Sequence, residues 1–286
     1  MLSYQHAYHA GNFADVLKHT VLCQVLSYLC QKDKPLYFHD THAGRGFYDL
    51  TQPMSHKTGE FHEGIARIWQ QEKIPSACQT YLNTQLLFND DKKLRYYVGS
   101  SLLAQQLMRK GDRLVANELH PQEFHYLEQQ AKQRRGGNLP RLRVSQEDGF
   151  AALKAALPPP ERRAVVLIDP SYELFSDDKA VVQALADALK RFATGVYLLW
   201  YPIVDVRRCQ KLLAAVKKLP AKEILRAELL VREPDAQGQG MAGSGMLLLN
   251  PPWQVDVALF EALPWLVQHM AAENGSWQLD WLKKSA

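Results

Sequence analysis

The sequence predicts an α/β protein: a seven-stranded, mostly parallel sheet with helices on both faces, interrupted by one small helical insertion. Three observations predict it. Short continuous apolar runs recur along the chain, helical stretches separate them, and several runs stop at an acid, a glycine or a proline. Strands covered on both faces read as unbroken apolar runs rather than alternating ones. Their carboxyl ends are where an open α/β sheet presents polar groups to a ligand.

The elements follow in order. Residues 12–31 read as a helix, because Leu17, Val21, Val25 and Leu29 repeat at helical spacing among further apolar positions. Strands are predicted at 36–40, 114–118, 142–144, 164–169 and 195–201, with 164–169 the most apolar. Two more, around 223–231 and 245–250, are joined by the loop 233–240 and predict an antiparallel hairpin at one sheet edge. Between the first two strands, 59–71 and 76–88 read as helices where a doubly wound fold would run directly from helix to strand. The chain therefore divides into a core, 1–49 with 98–286, and an insertion, 50–97, which serves either as a substrate-facing subdomain or as a passive excursion.

The 286 residues are 47% hydrophobic and 22% charged, ordinary for a globular chain. No apolar run approaches the ~18 residues of a spanning helix, and the first residues lack the basic-then-apolar pattern of a secretion signal. The four cysteines form no C-x-x-C pair. Buried thiols in a cytoplasmic protein, with no metal centre, are expected. The net charge of +4 gathers at 134–135 with Arg141 and Arg143, and at 162–163, 190–191, 207–208 and 217–218. Such clusters suit nucleic-acid phosphates, although any mildly basic enzyme surface carries similar ones.

The first strand ends in Asp40-Thr41-His42-Ala43-Gly44-Arg45-Gly46, a D-x-x-x-G-x-G pattern. Gly44 and Gly46 lack a Cβ, so the backbone can turn tightly and approach a ligand. Glu118, ending the next core strand, can accept hydrogen bonds from both hydroxyls of a ribose. The insertion explains its unusual distance from the glycines. Asp148-Gly149, after the third strand, can pair with an adenine amine or simply cap a turn. A nicotinamide cofactor would favour a third glycine where Asp49 stands, and no P-loop lysine pattern is present. Both absences favour S-adenosylmethionine as the cofactor.

Asp169-Pro170-Ser171-Tyr172 ends the most apolar strand. It resembles the (D/N/S)-P-P-(Y/F/W) motif of enzymes that methylate exocyclic amines of bases. Such an amine is a poor nucleophile, because its lone pair is delocalised into the ring. Two acceptors aimed at its N–H bonds draw the nitrogen toward tetrahedral geometry. Asp169 supplies one acceptor and the Pro170 carbonyl the other, while Tyr172 can stack on a flipped base. Asn250-Pro251-Pro252-Trp253 matches the pattern more closely. It ends a strand of the predicted hairpin, however, after the sheet has changed direction, and the carboxyl-end rule favours Asp169.

The opening residues 1–19, together with 40–46, 64–71, 94–97, 118–121, 199–202 and 250–253, resemble the bacterial N6-adenine methyltransferases of large-subunit (23S) ribosomal RNA. The resemblance spans essentially the whole chain. It implies the Rossmann-like fold of S-adenosylmethionine-dependent methyltransferases and a monomer acting on ribosomal RNA. It further implies that His19, His42, Ser100, Glu118, Asp148 and Gly149 contact the cofactor, that Asp169 is the catalytic carboxylate, and that Tyr4 and Lys18 lie near the substrate nucleotide. Ser171 departs from the family's second proline, which would help aim the Pro170 carbonyl. Two rival readings are a nucleic-acid-binding protein on a degenerate methyltransferase fold and a DNA adenine methyltransferase; an older assignment ties the family to the use of external DNA. The retained glycines and acids argue against decay.

Overall fold

The computed structural model describes residues 5–134, 136–173, 177–234 and 240–284. The strands are β1 (Tyr37–Asp40), β2 (Phe47–Asp49), β3 (Tyr96–Val98), β4 (Arg113–Asn117), β5 (Leu142–Ser145), β6 (Ala164–Ile168), β7 (Val196–Ile203), β8 (Ile224–Leu230), β9 (Gly243–Leu249) and β10 (Ser276–Lys283). Eight of them form one sheet in the order β10-β8-β9-β7-β6-β1-β4-β5, while β2 and β3 pair separately. Pairings among β5, β4, β1, β6 and β7 are parallel. Strand β9 runs antiparallel to both neighbours, and β10 is antiparallel to β8.

The sheet thus has eight strands where seven were expected. The additional one is β10, whose sequence alternates Trp277, Leu279 and Trp281 with Gln278 and Asp280, the pattern of a half-buried edge strand. It also moves the β8–β9 pair inward: β9 inserts between β7 and β8, and β10 takes the edge.

Side-chain alternation along the parallel strands divides the interior into two cores. Val165 and Leu167 pack in one with Phe38, Leu114 and Leu198; Val166 and Ile168 pack in the other with Tyr37, Tyr197 and Leu199. Helices α1 (Phe13–Cys30), α2 (Pro53–Thr58), α3 (Ile65–Ile68), α4 (Ser76–Leu86), α5 (Ser100–Leu107), α6 (Pro121–Gln133), α7 (Gly149–Ala156), α8 (Asp177–Arg191), α9 (Val206–Lys217) and α10 (Val255–Met270) complete the layers. The first core takes its helical partners from α1, α4, α5, α6 and α10, the second from α7, α8 and α9.

Asn12 starts α1 by accepting a hydrogen bond from the Asp15 amide at 2.9 Å, an N-cap of the usual kind. Val16, Leu17, Val21, Leu22, Val25 and Leu26 then bury completely. The stretch expected as one helix over 59–71 breaks at Gly64 into a 3-10 turn (Glu60–Glu63) and the short α3. Cys23, Cys78 and Cys209 are buried free thiols, and Cys30 is half-buried. Among the described residues, no helix is long and apolar enough to cross a membrane.

One close approach seats α7 against β1. A Cβ on Gly149 would lie 1.9 Å from the Thr41 carbonyl oxygen, so only glycine fits without backbone movement. Gly149→Ala is therefore expected to cost about 3 kcal/mol through overpacking and to lower the melting temperature by roughly 5–10 °C. Thermal unfolding of the two proteins checks this; equal melting temperatures would show that the approach is easily relaxed.

Candidate active site

The carboxyl ends of β1, β4, β5, β6 and β7 open, together with the start of α1, into one cleft of about 1000 Å³. Gly44 (φ 60°) and Gly46 (φ 73°) hold left-handed backbone in the turn after β1. The Gly44 amide donates to Glu118 Oε2 at 2.8 Å, and the His120 amide to Oε1 at 2.7 Å. Glu118 thereby fastens the end of β4 to the glycine turn while lining the cleft, and burial pushes its pKa up. Gly46 does not line the cleft; its carbonyl accepts from the Gly99 amide at 2.8 Å and locates the start of α5.

Asp40 also stands behind the wall. It is completely buried, and its Oδ2 accepts from the hydroxyls of Ser100 (2.5 Å) and Ser101 (2.8 Å). Its Oδ1 is buried without a partner, and burial pushes the carboxyl up to about 6. Of the three, Ser100 faces the cleft. Asp148 caps α7, its Oδ1 accepting from the Ala151 amide at 2.8 Å, and it lines the cleft together with Gly149. His42 sets its ring edge-on to Phe150 with centroids 5.1 Å apart; burial lowers its pKa.

At the end of β6, Asp169 Oδ2 accepts from Lys18 Nζ at 2.5 Å. The same ammonium lies 2.8 Å from Asp15 Oδ1, and Asp15 Oδ2 receives the Gly11 amide and sits 2.8 Å from His6 Nε2. Burial alone would neutralise these groups. The charges of His6 and Lys18 instead hold Asp15 well below the carboxylate range, and Asp15 and Asp169 raise the pKa of Lys18. The resemblance implied that Lys18 lies near the substrate nucleotide. The residue is beside Asp169, but it is 5% exposed and its ammonium is committed to two carboxylates, so phosphate contact falls to other residues.

Pro170 and Tyr172 line the cleft next to Asp169. Tyr172 is held at φ 53°, a conformation costly for a side-chain-bearing residue. Its hydroxyl donates to the Trp200 carbonyl at 2.8 Å, and its ring meets Trp200 edge-on at 5.8 Å. Asn250 lies at the other end of the sheet, its side-chain amide donating to the carbonyls of Ala193 and Gly195 ahead of β7. Arg163, similarly, donates to Leu29 and Lys34 carbonyls at that far end. Of the basic clusters, 207–208 reaches the cleft, through Arg208 paired with Asp178. The cleft walls are otherwise acidic, with Glu60, Glu63, Glu123, Glu173, Asp177 and Asp205 among them. Tyr4 lies outside the described residues, as do Arg135 and most of the loop 233–240.

His19 lines the cleft and is 1% exposed. Its Nδ1 lies 2.6 Å from the Tyr97 hydroxyl, whereas its Nε2 is buried with no partner. A buried polar atom without a partner, at the wall of a cleft this size, fits a polar ligand such as S-adenosylmethionine.

A parallel sheet with a glycine turn after β1, acids at its carboxyl ends and a reversed strand beside β7 has the frame of a Rossmann-like S-adenosylmethionine-dependent methyltransferase. Comparison with known proteins narrows this class. The model of the family described as ribosomal RNA large subunit methyltransferase D, RlmJ, matches residues 33–283, and the chain belongs to that family. It is similar to ribosomal RNA large subunit methyltransferase J of Escherichia coli (strain K12), 44% identical over 283 residues and 99% of each chain. The corresponding Haemophilus influenzae protein is 42% identical over 284 residues, again 99% of each chain. A crystal structure of a Legionella pneumophila protein superposes with a TM-score of 0.87 at 36% identity, covering 95% of this chain and 98% of that one. A probable spermidine synthase of Corynebacterium glutamicum shares the fold alone, with a TM-score of 0.50 at 10% identity over 95% of this chain and 84% of its own.

The buried Asp40 sets a pH dependence. Its folded-state pKa of about 6 exceeds the ordinary 3.8, so its contribution to stability is fully present below 3.8 and is lost as pH rises through 6. The difference corresponds to about 3 kcal/mol. Asp40→Asn is expected to melt about 5 °C above the parent at pH 8 and level with it near pH 4. A gap that stays constant from pH 4 to 8 would mean that Asp40 does not titrate in this range.

Proposed function

We propose that the chain methylates the exocyclic N6 amine of an adenine in 23S ribosomal RNA, in the cytoplasm, with S-adenosylmethionine as donor. One observation carries the reading: Asp169 and Pro170 end β6 at the cleft that the glycine turn, Glu118 and Asp148 also line. The relatives named as large-subunit ribosomal RNA methyltransferases support the choice of RNA over DNA.

When bound, the cofactor supplies a methyl group already activated on a sulfonium. Glu118 and Asp148 would hold its nucleoside, with Ser100 and His19 nearer its amino-acid end. The protein's remaining task is to position and polarise the amine. Asp169 accepts one amine N–H and the Pro170 carbonyl the other. Lys18, bound to Oδ2, fixes the carboxylate and leaves Oδ1 for the amine and for the proton released as nitrogen gains its methyl group. Tyr172, anchored through its hydroxyl, offers a ring against which the flipped base packs. The helical segment 50–97 contributes Thr58, Glu60 and Glu63 to the cleft wall, which supports its role as a substrate-facing subdomain.

Asp169→Ala is expected to lower single-turnover methylation of protein-free ribosomal RNA by about 10³-fold or more, with S-adenosylhomocysteine affinity changed by no more than a few-fold. An active Asp169→Ala protein would sink the assignment. Ser171→Pro is expected to keep the rate or raise it up to about tenfold, because proline restrains the backbone that aims the Pro170 carbonyl. If that variant folds and binds cofactor yet loses activity, Ser171 itself makes a contact the reaction needs.

A further inference from the structure

We infer that Tyr97, backed by Tyr81, is a positioning residue that fixes His19 in its Nε2–H tautomer, so that the ring donates to the carboxylate of the cofactor's methionine end. The inference rests on the proposed use of S-adenosylmethionine and gives the helical insertion a part in holding it.

Tyr81, Tyr97 and His19 form a buried row, with both tyrosines completely inaccessible. The Tyr81 hydroxyl donates to the Tyr97 hydroxyl at 3.3 Å. The single proton of Tyr97 is then free for His19 Nδ1, 2.6 Å away. Burial lowers the His19 pKa to about 3, so the ring is neutral and carries one N–H. A ring that accepts at Nδ1 carries its proton at Nε2. That atom is buried and unpartnered at the cleft wall, a donor awaiting an acceptor.

The cofactor's methionine carboxylate is the acceptor that fits. Glu118 and Asp148, at the ends of β4 and β5, are assigned to the nucleoside, and Asp169 marks where the methyl group is delivered. His19 lines the same cleft, next to Lys18 on α1, and Ser100 lines it too; there the amino-acid arm would extend. Acidic walls oppose a carboxylate, so the arm needs a fixed donor there. Without Tyr97 the imidazole is free to carry its proton at Nδ1, and a bare Nε2 would face the carboxylate lone pair to lone pair.

The test reads the tautomer and the ligand separately. A long-range proton–nitrogen spectrum of protein labelled with ¹⁵N-histidine, assigned with His19→Gln, is expected to show His19 protonated at Nε2 in the cofactor-free parent and a mixture of tautomers in Tyr97→Phe. Calorimetry is expected to show about a tenfold weaker Kd for S-adenosylmethionine in Tyr97→Phe, with decarboxylated S-adenosylmethionine unaffected. Tyr81→Phe, which leaves the Tyr97–His19 bond in place, is expected to shift the Kd in the same direction by about threefold. An Nδ1–H tautomer in the parent overturns the inference, as does an equal loss of affinity for both ligands. A parent protein that binds neither ligand overturns the cofactor reading itself, whatever tautomer the spectrum shows. Should Tyr97→Phe not fold, the parent spectrum and Tyr81→Phe still decide.

Discussion

A single buried ammonium organises this protein. Lys18 sits almost out of reach of water, and a lysine there is tolerable only with paired, hydrogen-bonded countercharges. Asp15 supplies one from the same helix turn, and Asp169 supplies the other from across the molecule. The arrangement therefore binds α1 to the end of β6 through charge. The link extends to the N-terminal segment, because Asp15 also holds His6 and the Gly11 amide. Removing Lys18 takes from both carboxylates the ammonium they share, and breaking a buried pair typically costs about 3–5 kcal/mol. The placement of the Asp169 carboxylate and the docking of the first helix are thus one constraint.

The sheet delivers everything else to that point. Parallel pairing of β5, β4, β1, β6 and β7 brings their carboxyl ends to one side. Two cores cover the faces, so the polar groups at those ends have a rigid platform. The turn after β1 is tied to the acid ending β4 by a backbone hydrogen bond, and that acid and the cap of α7 are each held by a backbone amide a few residues on. Pre-set groups of this kind need little rearrangement when a reactant arrives.

Much of this was legible in the sequence, and the failures have physical causes. Continuous apolar runs marked the strands buried on both faces. They could not mark β10, whose signal is alternation. The glycine turn and the acids at the strand ends were found because each is a local pattern. Tyr97 was not, because its partner His19 lies 78 positions away, nor was the pairing of Lys18 with Asp169, 151 positions apart; His6 and Asp15 are only nine positions apart but form no local pattern that marks a site. A weaker clue was present. Asp15, Lys18 and His19 stand at i, i+3 and i+4, a polar face on a helix otherwise apolar nearly all round. Such a face on a buried helix points inward to a site.

The acidic lining of the cleft has a bearing on turnover. S-adenosylmethionine carries a net positive charge, its sulfonium and ammonium outweighing its carboxylate, and the spent thioether is neutral overall. Walls that include Glu118, Asp148 and Asp205, whose carboxylates accept from backbone amides, attract the first more than the second. Methyl transfer itself therefore discharges the attraction that loaded the cleft. Fresh cofactor then meets the cleft on better electrostatic terms than the product it replaces.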